Sequence, residues 1–210
     1  MSEQFDRAYW EDRYRGHHPS HPHREPNPYL VAETTDLAPG TALEAGCGEG
    51  AEAIWLASRG WRVTAVDIAA AALDRAREHA RNLGADVADR VEWVRADLTG
   101  WVPAEEHFDL VCAHYVHPAT PGETLFTRLA AAVAPGGTLL VVGHAPAPAR
   151  PDDPHAPAPG SHVTAGQVAA SLDPTRWDVV VAEARTRTVT GPGGHEMTLH
   201  DAVLRARKRR

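Results

Sequence analysis

Residues 44–50 read EAGCGEG, placing Gly46, Gly48 and Gly50 at alternate positions behind the carboxylate of Glu44. Glycine lacks a Cβ, so such a run lets the backbone take positive φ and approach another group closely. The run follows the apolar stretch TAL and precedes AEAIWLASRGW, which reads as a strand, a tight turn and a helix. A helix beginning near Glu49 turns the positive end of its dipole toward that turn, a setting that suits an anion. Spacing narrows the choice of anion. A dinucleotide-binding turn is GxGxxG, but here the third glycine arrives one residue early and Ala51 stands in its slot. No GxxxxGK[ST] phosphate loop follows any strand. Glu44 would repel a phosphate and attract an ammonium. A ligand that offers carboxylate to the amides and ammonium to an acid carries an amino-acid end.

A second set of residues could move protons. The apolar run 108–116 leads into CAHYVHP, which brings His114, Tyr115 and His117 to the end of a strand, and His144 ends the run TLLVVGH. Histidine titrates near neutral pH and is the commonest general base. Strand alternation sends His114 and Tyr115 to opposite faces, so at most one of them should reach an acceptor. Cys47, inside the glycine turn, is expected to contribute its backbone and not its thiol. His17, His18, His21 and His23 could hold zinc or nickel. The prolines between them splay successive side chains, and no Asp or Glu completes a ligand set, so no metal is expected.

These residues need elements to position them. Helical patterns occur over 5–15, 29–36, 49–60, 69–83, 122–133 and near 164–172, and strand patterns over 41–46, 61–67, 91–97, 108–116 and 138–144. Two longer strand patterns, 177–189 and 196–207, are joined by GPGG and read as an antiparallel hairpin. Alternating strands and helices followed by a hairpin predict an α/β fold: a Rossmann-like, doubly wound, mostly parallel seven-stranded sheet with a C-terminal antiparallel hairpin. In such a sheet ligands bind beyond the carboxyl ends of the strands. The chain reads as a single domain, 1–210. Residues 1–36 form an N-terminal lid, 40–144 the binding core, 145–163 a loop rich in proline, and 164–210 a helix and the hairpin. The lid helix would bring Trp10 and Tyr14 over the ligand.

Composition limits the partners. The 210 residues suit one well-buried domain, and a net charge of −7 disfavours a nucleic-acid partner. The basic run RARKRR at 205–210 reads as a solvated chain end. Two cysteines make no disulfide framework and fit a reducing compartment. No apolar run reaches the length of a membrane span, and the charged N-terminus lacks a signal region, so a cytoplasmic protein is expected.

Five blocks occur in one order: EAGCGEG, the second-strand acid of VTAVDI at 63–68, ADL at 96–98, FDLVCAHYV at 108–116, and PGGTLLVV at 135–142. In these the chain resembles the class I S-adenosylmethionine-dependent methyltransferases, over residues 40–144. It looks most like their small-molecule branch, which includes tellurite-resistance and thiopurine-type enzymes. The resemblance implies S-adenosylmethionine as cofactor and methyl transfer to a small-molecule acceptor through O, N, S or a metalloid. It implies that Glu44, Gly46, Cys47 and Gly48 line the methionine part, and that Asp67 takes the ribose hydroxyls while Ile68 packs on the adenine. Asp97 and Leu98 would meet the adenine edge, and Ala113 would lie beneath the junction with the substrate. His114 and His117 are the candidate catalytic residues, with Trp10, Tyr14, Tyr115 and His144 as substrate or lid residues. The alternatives are a non-catalytic cofactor-binding partner protein and a macromolecule methyltransferase; a NAD-dependent enzyme fails on the glycine spacing. A monomer or a homodimer is expected, the hairpin edge being available for the latter.

Overall fold

The computed structural model describes residues 6–16, 25–116, 122–146, 164–190, 194 and 196–210. Helices α1 (Arg7–Arg15) and α2 (Pro28–Thr34) precede the first strand. Then β1 (Thr41–Ala45), α3 (Ala51–Ser58), β2 (Arg62–Asp67), α4 (Ala70–Leu83), a short α5 (Ala85–Ala88) and β3 (Val91–Arg95) follow in turn. The second half runs β4 (Phe108–His114), α6 (Gly122–Ala132), β5 (Val133–His144), α7 (Ala165–Ala170), β6 (Trp177–Thr190) and β7 (Glu196–Lys208). All seven strands join one sheet in the order β3-β2-β1-β4-β5-β7-β6. The first five are parallel, and β7 runs antiparallel to both β5 and β6. The expected α/β architecture with its terminal hairpin is therefore present.

The order reverses between β1 and β4, so a crevice opens beyond their carboxyl ends, where β1 leads into the glycine turn. β1 and β4 are buried on both faces because helices cover both, and their near-continuous apolar runs follow from that. One core layer joins Leu43, Val111, Leu139 and Leu204 with α6 and α7; the other joins Leu110, Leu140 and Val203 with α2 and α3.

Two local features depart from the sequence reading. β5 starts at Val133, five residues before the expected 138, and Phe108 pairs Val133 while Leu110 pairs Thr138. The Pro135-Gly136-Gly137 stretch is thus an irregularity within the strand, with Gly136 at φ +84°, and not a separate turn before it. The turn α5 lies where only the stop at Gly84 was expected.

Candidate active site

The glycine turn is built by what surrounds it. Gly46, Gly48 and Gly50 have φ of +76°, +51° and +83°. A Cβ on Gly46 would lie 2.7 Å from Val116 Cγ2, and one on Gly48 would lie 2.8 Å from the Tyr14 hydroxyl. The amides of the turn are held by the protein: Gly46 and Cys47 N–H donate to the Val66 carbonyl (2.8 and 3.0 Å), and Gly48 N–H donates to Asp67 Oδ2 (2.8 Å). The sequence reading expected those amides to face the ligand. Instead they tie β1 to β2, and the glycines admit Val116, Tyr14 and the ligand space between them.

A cavity of about 490 Å³ lies over this turn, within the roughly 300–1,000 Å³ of small-molecule sites. Gly46, Cys47, Gly48, Asp67, Ile68, Asp97 and Leu98 all line it. Asp67 is 8% exposed, and its second oxygen, Oδ1, accepts from Ala69 N–H (2.9 Å). Burial holds its carboxyl above the ordinary range, against the pull of those two backbone amides. Asp97 is exposed and caps its own turn, accepting from the Thr99 amide and hydroxyl (2.8 and 2.7 Å). The Cys47 thiol is buried and pushed well up by that burial, so it is neutral and not a nucleophile.

Glu44 and Ala113 do not line the cavity. Ala113 is 1% exposed and belongs to the apolar core, and Glu44 is 1% exposed behind the wall. Glu44 Oε1 sits 2.9 Å from His114 Nδ1. A carboxylate only accepts, so Nδ1 carries the proton and donates. The other imidazole nitrogen, Nε2, is buried and has no hydrogen-bond partner among the described residues. Burial pulls the imidazole pKa down, but the Glu44 and Glu52 carboxylates outweigh it and hold the group above its usual value.

His114, Tyr115 and His144 line the same cavity. The strand ends at His114, and Tyr115 takes φ +52°, so alternation no longer separates the two side chains. Both line the cavity, although alternation along the strand led to the expectation that at most one of them would reach an acceptor. The Tyr115 ring lies 4.6 Å from that of His144, and its hydroxyl donates to Asp201 Oδ1 (2.8 Å). Arg187 Nη2 donates to the same hydroxyl (3.0 Å), while Arg187 Nε donates to Asp201 Oδ2 (2.8 Å). Burial first, then Asp201, pushes the Tyr115 phenol up to about 12. His117 lies outside the described residues, as do His17, His18, His21 and His23. Among the described residues no cluster of His, Cys, Asp and Glu could hold a metal ion. No helix there is long and apolar enough to cross a membrane.

From the N-terminal side, Trp10, Arg13 and Tyr14 of α1 complete the wall. The helix is fixed by Glu11, whose Oε1 accepts from Ala70 N–H (3.0 Å) and Arg95 Nη2 (2.7 Å).

Sequence reasoning missed Glu52 and Arg187, both of which line the cavity. Glu52 lies in the first turn of α3, two residues past Gly50, so its helical position could have found it. Burial holds its carboxyl above the ordinary range. Arg187 comes from β6, far along the chain, and no local signal marks it; the strand register alone delivers it.

Known proteins resemble this chain in sequence and in fold. Residues 42–137 match the family described as a methyltransferase domain. The trans-aconitate 2-methyltransferase of Paracidovorax citrulli is 35% identical over 165 residues, which cover 75% of this chain and 55% of that protein. The chain therefore spans about half the length of that curated relative. A structure solved for the conversion of a disulfide bond into a thioacetal group during echinomycin biosynthesis superposes with a TM-score of 0.69 at 26% identity, covering 96% of this chain and 92% of that one. TehB from Haemophilus influenzae shares the fold, with a TM-score of 0.68 at 15% identity over 95% of this chain and 67% of that chain. The glycine turn, the second-strand acid and the reversed strand order thus meet in one crevice within residues 42–137, the stretch that matches the methyltransferase domain, and in this the chain is similar to the class I S-adenosylmethionine-dependent methyltransferases.

Proposed function

We propose that the protein transfers the methyl group of S-adenosylmethionine to a small-molecule acceptor by in-line displacement. One observation carries the reading. A single cavity joins the glycine turn and Asp67 at one end to His114, Tyr115, His144 and Arg187 at the other. The residues present fit the cofactor. The left-handed glycines leave room at the turn, and each Asp67 oxygen keeps a lone pair beyond its bond to a backbone amide. Gly46, Cys47, Gly48, Asp67, Ile68, Asp97 and Leu98 would hold it, with Glu44 and Ala113 supporting the wall from behind. The sulfonium supplies an already activated methyl group, so the chain's work is mainly alignment and exclusion of water. Trp10, Arg13 and Tyr14 close one side of the cavity and Arg187 of the hairpin another, which favours an acceptor small enough to enter. The similarity to a trans-aconitate 2-methyltransferase likewise favours a small-molecule acceptor.

Calorimetric titration with S-adenosylmethionine and S-adenosylhomocysteine tests cofactor binding, and saturable binding of both is expected. Absence of binding at high micromolar concentration would sink the proposal. Conversion of one cofactor to the other with an added acceptor, followed by mass, separates an enzyme from a cofactor-binding partner protein.

A further inference from the structure

Glu44 and His114 stand 70 residues apart in sequence and meet because β1 and β4 are parallel neighbours, with Glu44 in register with Cys112. Both side chains are almost wholly withdrawn from water (1% and 4% exposed). A buried ion or polar ring is costly unless each polar atom is matched. The pair matches Glu44 Oε1 with His114 Nδ1, yet leaves Glu44 Oε2 and His114 Nε2 without hydrogen-bond partners among the described residues, and of the two residues only His114 lines the cavity. Its Nε2, itself withdrawn from solvent, is the ring nitrogen that the protein leaves uncommitted there. A histidine fixed at Nδ1 by a carboxylate, with Nε2 left unpartnered, is the arrangement by which an imidazole accepts a proton from a group that reaches it.

We propose that Glu44 is a positioning residue that holds His114 Nε2 toward the acceptor as proton acceptor, and that the acceptor is a neutral hydroxyl, thiol or amine. The inference rests on the methyl-transfer reading above. In the step itself, the acceptor's O, N or S forms a bond to the methyl carbon as the carbon–sulfur bond of the sulfonium breaks. The electron pair stays on sulfur, giving a neutral thioether. The acceptor's proton passes to His114 Nε2, and the imidazolium that forms is stabilised by Glu44 and later returns the proton to solvent. An ionised carboxylate acceptor would need no such base.

The groups facing His114 set its pH response. Glu44 of β1 and Glu52 of α3 favour the imidazolium. The Cys47 and Cys112 thiols are neutral through burial. His144 of β5, Tyr115 and Arg187 of β6 share the cavity, Arg187 having Asp201 as its counter-ion. Removing Glu44's charge must therefore lower the pH at which His114 ionises.

Nitrogen-15 NMR of the histidine-labelled full chain, with S-adenosylhomocysteine added, reads this without turnover. The neutral ring should carry its proton on Nδ1, and its ionisation should lie above the ordinary 6.5 and move to lower pH in Glu44→Gln. A neutral ring protonated on Nε2, or an ionisation that Glu44→Gln leaves in place, overturns the proposal. Should Glu44→Gln fail to fold, Glu44→Asp withdraws the carboxylate by one methylene and gives the same comparison.

Turnover is read with S-adenosylmethionine and four probes: a phenol, an arylthiol, a primary amine and a tricarboxylate. Methylation of one of the first three should rise with pH through the same ionisation and fall about a hundredfold in His114→Asn. Methylation confined to the tricarboxylate, or undiminished in His114→Asn, overturns the pair's role. Calorimetry keeps the two readings apart. A chain that fails to bind cofactor refutes the methyl-transfer reading, whereas a Glu44→Gln chain whose main defect is cofactor affinity makes Glu44 a cofactor ligand and refutes only this inference. If none of the probes is methylated, the NMR result alone decides for or against the pair.

Discussion

The Trp93 indole fills the space that a side chain at residue 50 would need. A Cβ on Gly50 comes within 2.5 Å of Trp93 Cη2, where φ is already +83°. Gly50 is the N-cap of α3, so this contact sets where the helix at the site begins.

Gly50→Ala should therefore destabilise the fold by about 2–5 kcal/mol, combining left-handed strain of about 1–2 with overpacking of about 1–3. Gly60→Ala is the comparison, since Gly60 has φ +94° but no atom nearer than 3.7 Å. It should show the strain alone, about 1–2 kcal/mol. Urea unfolding of both variants checks this, and equal losses would contradict the Trp93 contact.

Glu11 anchors α1, and the amide of Ala70 first of all holds its carboxyl below the ordinary range. A depressed carboxylate stabilises above its unfolded pKa of 4.5, and that contribution disappears as pH falls through the lower folded value. Glu11→Ala should cost about 1–3 kcal/mol at pH 7, the penalty for a lost bond to a charged group. The cost should shrink in acid. Amide exchange along α1 should quicken and cofactor affinity should fall, because Trp10, Arg13 and Tyr14 lose their fixed position. Exchange mass spectrometry and calorimetry measure the two effects.

Asp201 is fully buried and relies on Arg187 and Tyr115. Arg187→Met leaves that charge unpaired and should cost about 3–5 kcal/mol. Adding Asp201→Asn should recover part of the loss. The same network predicts the alkaline behaviour. With the Tyr115 phenol at about 12 against an ordinary 10, the folded state keeps a proton that the unfolded chain releases, so stability falls as pH rises from 10 toward 12. Ultraviolet titration should show Tyr115 ionising later than exposed tyrosines, and Tyr115→Phe should remove that late step.

Glu52 is half-buried in the cavity wall, and its carboxyl is raised chiefly by the loss of water around it. A raised carboxyl stabilises below its unfolded pKa of 4.5 and loses that advantage as pH rises through the folded value. Glu52→Gln keeps an acceptor for Asn27 N–H, which now donates to Oε1 at 3.1 Å. The melting temperature of Glu52→Gln relative to the parent should therefore increase from pH 4 to pH 7. A constant difference would show that Glu52 carries no burial penalty.

Much of this was legible in the chain because it is local. The apolar runs 41–46 and 108–116 are buried strands, and EAGCGEG announces a turn that tolerates only glycine, since φ and close approach are properties of a few consecutive residues. Asp67, Ile68, Asp97 and Leu98 could be placed because parallel strands end at a common edge, so each strand's last residues must face the same crevice. Pairings across the sheet were not legible. Glu44 meets His114, and Arg187 meets Tyr115 across 72 residues, only through the register of neighbouring strands. Tyr115 turned toward the cavity because its strand ended one residue earlier, a boundary that an unbroken apolar pattern does not mark. The sequence by itself determined the fold class and the glycine-turn end of the cavity, through periodicity and glycine. The tertiary structure decided the chemistry of the other end, because a carboxylate behind a histidine and an arginine beside a phenol exist only where distant strands are brought side by side.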